Sequence, residues 1–92
     1  MKSILQDEKE CFITGATEGL HCHHIFGGAN RRISEENGFK IYLRADYHNM
    51  SDYGVHFNKQ LDLALKRACQ AKFEETHTRE EWMRLIHRNY LE

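Results

Sequence analysis

The stretch that most restricts this fold is LHCHHIFGG, residues 20–28, where three histidines and a cysteine fill four consecutive positions ahead of a double glycine. The wider segment GLHCHHIF, 19–26, alternates in the manner of a strand. Successive strand residues point to opposite faces. Leu20, Cys22 and His24 therefore share one side, and His21, His23 and Ile25 the other. A strand reading divides the cluster into two separate chemistries. Gly27–Gly28 lacks the lysine and the strand–turn–helix setting of a phosphate loop, so it reads as a sharp turn after the strand.

The chain contains no proline, so glycine and polar residues must punctuate it. Residues 1–9 read as a solvated lead-in, and ECFITG, 10–15, as a short strand or knuckle ending at Gly15. Residues 27–39 form a long polar loop with one helical turn around Ser34–Asn37. KIYLR, 40–44, is a second strand, and ADYHNMSDYG, 45–54, a loop rich in turn residues. From about Val55 to Thr76 the period becomes helical, with Phe57, Leu61, Leu65, Ala68 or Cys69, and Phe73 on one stripe. Ser51 or Asp52 is the expected cap of that helix. A last helix, about 78–90, starts with Thr78 as N-cap and Glu81 three residues on, a capping box. Trp82, Leu85 and Ile86 form its apolar face, and Glu80 and Arg84 an i,i+4 pair. The order is strand, long loop, strand, loop, helix, helix, which predicts one α+β domain over 1–92 with its core at about 11–76.

At 92 residues such a domain has little interior, and small domains often add a metal, a disulfide or a partner. Three cysteines, Cys11, Cys22 and Cys69, do not make a secreted disulfide framework. Cys69 lies on the apolar stripe and reads as core, and Cys22 as a half-buried strand residue. The start, MKSILQDEKE, is too charged for a signal peptide, and no apolar run is long enough to span a membrane, so a cytoplasmic location is expected. A net charge of −1 argues against tight sequence-independent nucleic-acid binding over the whole surface. A local patch remains open: Arg31 and Arg32 with Lys40 are the candidates for phosphate contacts, extended by Lys59 and Lys66.

Four of the seven histidines fall between positions 21 and 48. Neutral imidazole is the commonest ligand for metals such as zinc. A strand ending in His23 and His24, a second strand, and a helix start carrying His48 and His56 make a ββα arrangement that can gather these side chains. Since adjacent strand residues face opposite ways, one of the pair can hold a metal while the other deprotonates a water. His48, Asp52 and His56 recur at spacings of four, so a helix would place them on one face. Phosphodiester hydrolysis needs a divalent ion to stabilise phosphate charge, a histidine base, and a side chain that orients that imidazole. Asn37 and Asn49 are available for the last role.

The order HH, loop, strand, HN, H resembles the HNH, or His-Me finger, endonuclease family. The stretch CFITG, HHIFGGANR and IYLRADYHNMSDYGVHFNKQLDLALK is similar to small phage and prophage proteins of the HNH-like, RecA-dependent nuclease group, over roughly residues 11–75. The resemblance implies a ββα-metal core with an additional C-terminal helix. It also implies His23 as a metal ligand, His24 as general base, and His48 with Asp52 or His56 completing the metal site. Asn49 or Asn37 would orient the base. One divalent ion is implied, zinc for binding and magnesium, manganese or nickel for catalysis.

Many relatives carry a second, structural zinc on two cysteine knuckles, which are closed four-ligand sites. Here the first knuckle reads CFIT, with Thr14 in place of its second ligand, and the second reads RADYH, with Arg44 and Tyr47 in ligand positions. No structural zinc is expected there. Cys11 becomes a small buried residue, and Arg44 pairs with an acid such as Asp46 or Glu10. Two functions follow. One is metal-dependent cleavage of DNA by a phage or prophage endonuclease. The other is a catalytically silent phage-encoded inhibitor that keeps the scaffold and binds a host defence protein such as Cas9, an anti-CRISPR role. The retained HH and HN pairs favour the first; the lost knuckle and near-neutral charge favour the second.

Overall fold

The computed structural model describes residues 2–92. Its sheet has two antiparallel strands, β1 (Leu20–His24) and β2 (Lys40–Arg44), in a register that sets His23 opposite Ile41 and His24 opposite Lys40. Between them a short 3-10 turn, Gly28–Asn30, leads into α1 (Arg31–Asn37). The predicted single helical turn is therefore a seven-residue helix. Its buried Ser34 explains the placement: the hydroxyl donates to the Phe26 carbonyl at 2.8 Å and accepts the Phe26 amide at 3.0 Å. That pair ties α1 to the end of β1. Gly38 ends α1 with φ 73°, and a Cβ there would collide with the Lys2 carbonyl.

After β2 the chain turns at once into α2 (Ala45–His48), where the sequence suggested only a loop. A second 3-10 turn, Val55–Phe57, precedes α3 (Lys59–Phe73). The expected single helix from Val55 is thus broken at Asn58. Asn58 is the cap of α3, its side chain accepting the Leu61 amide at 3.1 Å, and Ser51 and Asp52 lie well before it. Phe57 falls outside the buried stripe and is 66% exposed. Helix α4 (Arg79–Ile86) begins with the predicted capping box between Thr78 and Glu81.

The sheet's inner face and the two long helices share one core. Trp82 is fully buried, with ring centroids 5.5, 5.3 and 5.6 Å from Phe26, Phe39 and Phe73. Its indole N–H donates to the Arg88 carbonyl at 2.8 Å. Truncating such a residue typically costs about 3–5 kcal/mol. Cys69 is fully buried in the same cluster, and burial pushes its thiol well above the ordinary range. Cys22, by contrast, is exposed on the outer face. The lead-in is less solvated than its charge suggests. Ile4 and Leu5 pack against the core, and Gln6 accepts the Tyr42 amide at 2.7 Å.

Residues 11–16 form a closed turn rather than a strand. Cys11 is 2% exposed, and its amide and carbonyl close a turn with Ala16 and Gly15. Burial raises its thiol pKa, but a hydrogen bond with Thr14 and the amides of Arg44, Thr14 and Ile13 outweigh burial and hold it below the ordinary range. Arg44 pairs with Asp46 through two nitrogens, at 2.6 and 2.8 Å, and Tyr53 donates to the same carboxylate at 2.7 Å. Arg44 thus pairs with Asp46, one of the two acids the sequence offered it.

Candidate metal centre

Three elements converge on one point. His23 comes from β1, His48 from the last residue of α2, and His56 from the 3-10 turn that precedes α3. The loop between the last two folds back closely because Gly54 has no side chain. A Cβ there would lie 2.9 Å from the carbonyl oxygens of Asp46 and His48. This approach brings His56 onto His48, with ring centroids 4.6 Å apart and Nε2 atoms 3.0 Å apart. His23 lies 5.3 Å from the His48 ring and 5.5 Å from the His56 ring. One ligand atom from each of the three falls within 4.8 Å of the others.

The donor set fits a transition metal. A four-coordinate ion with bonds of about 2.0–2.1 Å holds its ligand nitrogens about 3.3 Å apart, close to the observed Nε2 separation. His23 is 7% exposed, and its Nε2 is buried without a hydrogen-bond partner, the only such side-chain atom among the described residues. Buried polar atoms are almost always satisfied. A buried, unpartnered ring nitrogen on a histidine gathered with two other imidazoles is consistent with a metal-binding role. Burial, reinforced by the neighbouring His48 and His56, pushes the His23 pKa down to about 4. Burial, with His56 and His21 beside it, does the same for His48. Both rings are therefore neutral near pH 7, the form that ligates. Three histidines leave a fourth position open, the pattern of catalytic rather than structural zinc. His23 and His56 line a groove of about 510 Å³ whose wall also includes His24, Asn58, Lys59, Asp62 and Lys66.

His24 faces away from His23, as strand alternation requires, and lines this groove and the neighbouring one. Its Nε2 lies 2.8 Å from Glu35 Oε2. Lys40 donates to both oxygens of Glu35, at 2.9 and 3.0 Å. These bonds with Lys40 and then His24 hold the Glu35 carboxyl well below the usual carboxylate range. An ionised Glu35 is an acceptor only, so His24 donates from Nε2 and keeps its lone pair on Nδ1.

Among the sequence-predicted residues, His23, His48 and His56 come together and His24 stands beside them. Asp52 is exposed in the turn after α2 and lies outside the histidine set. Asn37 donates its side-chain N–H to the Ile33 carbonyl at 2.9 Å, and Asn49 is the exposed C-cap of α2. The partner found at His24 is Glu35, which the sequence reading did not single out. Its signal was the stretch RRISEEN in the loop taken as polar, where helical period puts Ser34 inward and Glu35 beside the strand. Of the basic candidates, Lys40 is held by Glu35, Arg32 pairs with Glu36 at 2.8 Å, and Arg31 is exposed without an ion-pair partner among the described residues. Asp62 was also missed. It acts electrostatically on His23 and pairs with Lys66 at 2.9 Å. No helix is long and apolar enough to cross a membrane among the described residues. No family model, curated protein or solved structure matches the chain.

Proposed function

We propose that this chain is a metal-dependent endonuclease of the HNH type that hydrolyses phosphodiester bonds in DNA, on a ββα-metal core made by β1, β2 and the helical segments that follow. The carrying observation is the buried His23, its Nε2 without a partner among the described residues and its ring gathered with those of His48 and His56, with His24 next to it on the strand and bonded to Glu35. His23, His48 and His56 would hold one divalent ion. When bound it supplies positive charge to the phosphate and to the departing 3′ oxygen. His24 Nδ1 takes a proton from the attacking water as that oxygen bonds to phosphorus. Glu35 keeps the Nε2 proton in place and steadies the imidazolium that results. Arg31 and Lys59 would bind flanking phosphates, with Arg32, Lys40 and Lys66 exchanging their carboxylate partners for phosphate. Phage or prophage origin and action inside a host cell belong to the same reading, through the resemblance.

The test incubates purified protein with supercoiled plasmid and Mg²⁺, Mn²⁺, Ni²⁺ or Zn²⁺. Nicking by wild type is expected to vanish in His24→Ala while that variant still binds about one metal per chain. Metal binding without nicking in any of the four ions would refute the nuclease. It would transfer the proposal to the silent inhibitor, for which a pull-down with Cas9 is the next measurement. A protein that neither holds metal nor nicks would refute both.

A further inference from the structure

His48 has a neighbour at each ring nitrogen. It ends a four-residue helix and is followed by the exposed residues Asn49 and Met50. Its Nε2 faces His56 Nε2 at 3.0 Å, and its Nδ1 lies 2.9 Å from Nδ1 of His21. A neutral imidazole has one N–H and one lone pair. If Nε2 is to give its lone pair to an ion, the proton must sit on Nδ1, where it points at His21. His21 then accepts at Nδ1 and keeps its own proton on Nε2. The two rings meet edge-on, with centroids 5.1 Å apart. His21 sits two residues before His23 on β1, on the same face and half-buried opposite Leu43. One strand therefore supplies a ligand at 23 and a brace for a different ligand at 21. His21 is not a fourth ligand, because it meets the side of the His48 ring opposite the metal-facing nitrogen.

We infer that His21 is a positioning residue: by accepting the His48 Nδ1–H it fixes the tautomer and orientation of that ligand. The inference rests on the metal reading above. Partners of this kind typically change metal affinity by about 10–100-fold when removed. The test is a Co²⁺ titration followed by ligand-field absorption, on wild type, His21→Gln and His21→Leu. Glutamine offers an acceptor oxygen, and leucine offers none. The expected result is binding about 10–100-fold weaker in His21→Leu and near wild type in His21→Gln, with equal melting temperatures in chelator. In the Zn²⁺-loaded wild type, long-range ¹H–¹⁵N spectra are expected to show His48 protonated at Nδ1 and coordinated at Nε2. Equal affinity in all three proteins, equal losses in both variants, or His48 coordinated through Nδ1 would each overturn the inference. A wild type that takes up no Co²⁺ would overturn the metal reading itself, and a wild type that binds while His21→Leu is unaffected would overturn only the role of His21.

Discussion

Replacing His23 with leucine separates the two things this residue does. In the metal-free protein it is a liability, since its Nε2 is buried with no partner and the residue is only 7% exposed. An unsatisfied buried polar atom costs about 1–3 kcal/mol. Leucine is apolar and of similar size, so His23→Leu removes that cost beside Ile25 and Ile41 without opening a large cavity. In chelator the variant is expected to be at least as stable as wild type, by about 1 kcal/mol or more, which in a domain of this length raises Tm by roughly 4–8 °C. With Zn²⁺ the order reverses. An ion present at about 100 times its Kd stabilises the native state by about 2.7 kcal/mol, so wild type gains roughly 10–20 °C while His23→Leu gains little. The assay is a pair of thermal melts at pH 7.5, with chelator and with Zn²⁺. A variant several degrees less stable than wild type in chelator, or one that keeps the full Zn²⁺ shift, would refute the reasoning. The first result would make His23 a packing residue, and the second would place the ion elsewhere.

Acid should destabilise the metal-free protein in a defined window. His23 and His48 are held down to about 4 by burial first and by neighbouring imidazoles second. Unfolded histidines titrate near 6.5, so below that pH the unfolded chain binds protons that the folded chain refuses. The stability that these two rings contribute is complete above about pH 6.5 and is lost as pH falls toward 4. Melts from pH 7.5 to 4 in chelator should show this decline, and a shallower one in His23→Leu; parallel curves would exclude His23 as a source. At the Cys11 turn, Cys11→Ser should leave metal content at about one ion per chain, because Cys11 lies outside the histidine set. Elemental analysis showing a second ion that disappears in the variant would overturn that reading.

The site was legible where local period fixed it. Alternation along β1 separates His23 from His24 before any contact is known, and the structure puts one in the buried histidine set and the other against Glu35. The coarse order of strands and helices followed from the switch between periods of two and 3.6. The capping box at Thr78 was readable because both of its bonds are local. What depended on distant contacts was not. Residues 31–37 look like a polar loop, because the core-facing side of α1 is supplied by one aliphatic residue, Ile33, and one small hydroxyl, Ser34, bonded to Phe26. With that helix unseen, Glu35 could not be matched to His24, and two asparagines closer in type to the expected orienting residue took its place. Asp52 was a candidate through its spacing of four from His48 and His56, which a helix would bring to one face, and through the resemblance. The chain instead breaks at Gly54 and Asn58, and the break itself is what brings His56 back onto His48.

The histidine-rich strand therefore works through both of its faces and through both nitrogens of its rings. Inward, His23 offers an Nε2 that nothing among the described residues satisfies, and His21 lies against the far nitrogen of a second ring in the same set. Outward, His24 spends Nε2 on Glu35 and leaves Nδ1 for a proton. Glu35 is in turn divided between His24 and Lys40. Any anion that drew Lys40 away would loosen its hold on the carboxylate, and the bond from His24 Nε2, the proposed base, would tighten as substrate arrived. That coupling gives Lys40, first singled out as a phosphate contact, a second way to matter. It works through the base, and the separation of kcat from KM in Lys40→Met would reveal it: an effect confined to KM is that of a phosphate contact alone, and a fall in kcat with it is that of the shared carboxylate.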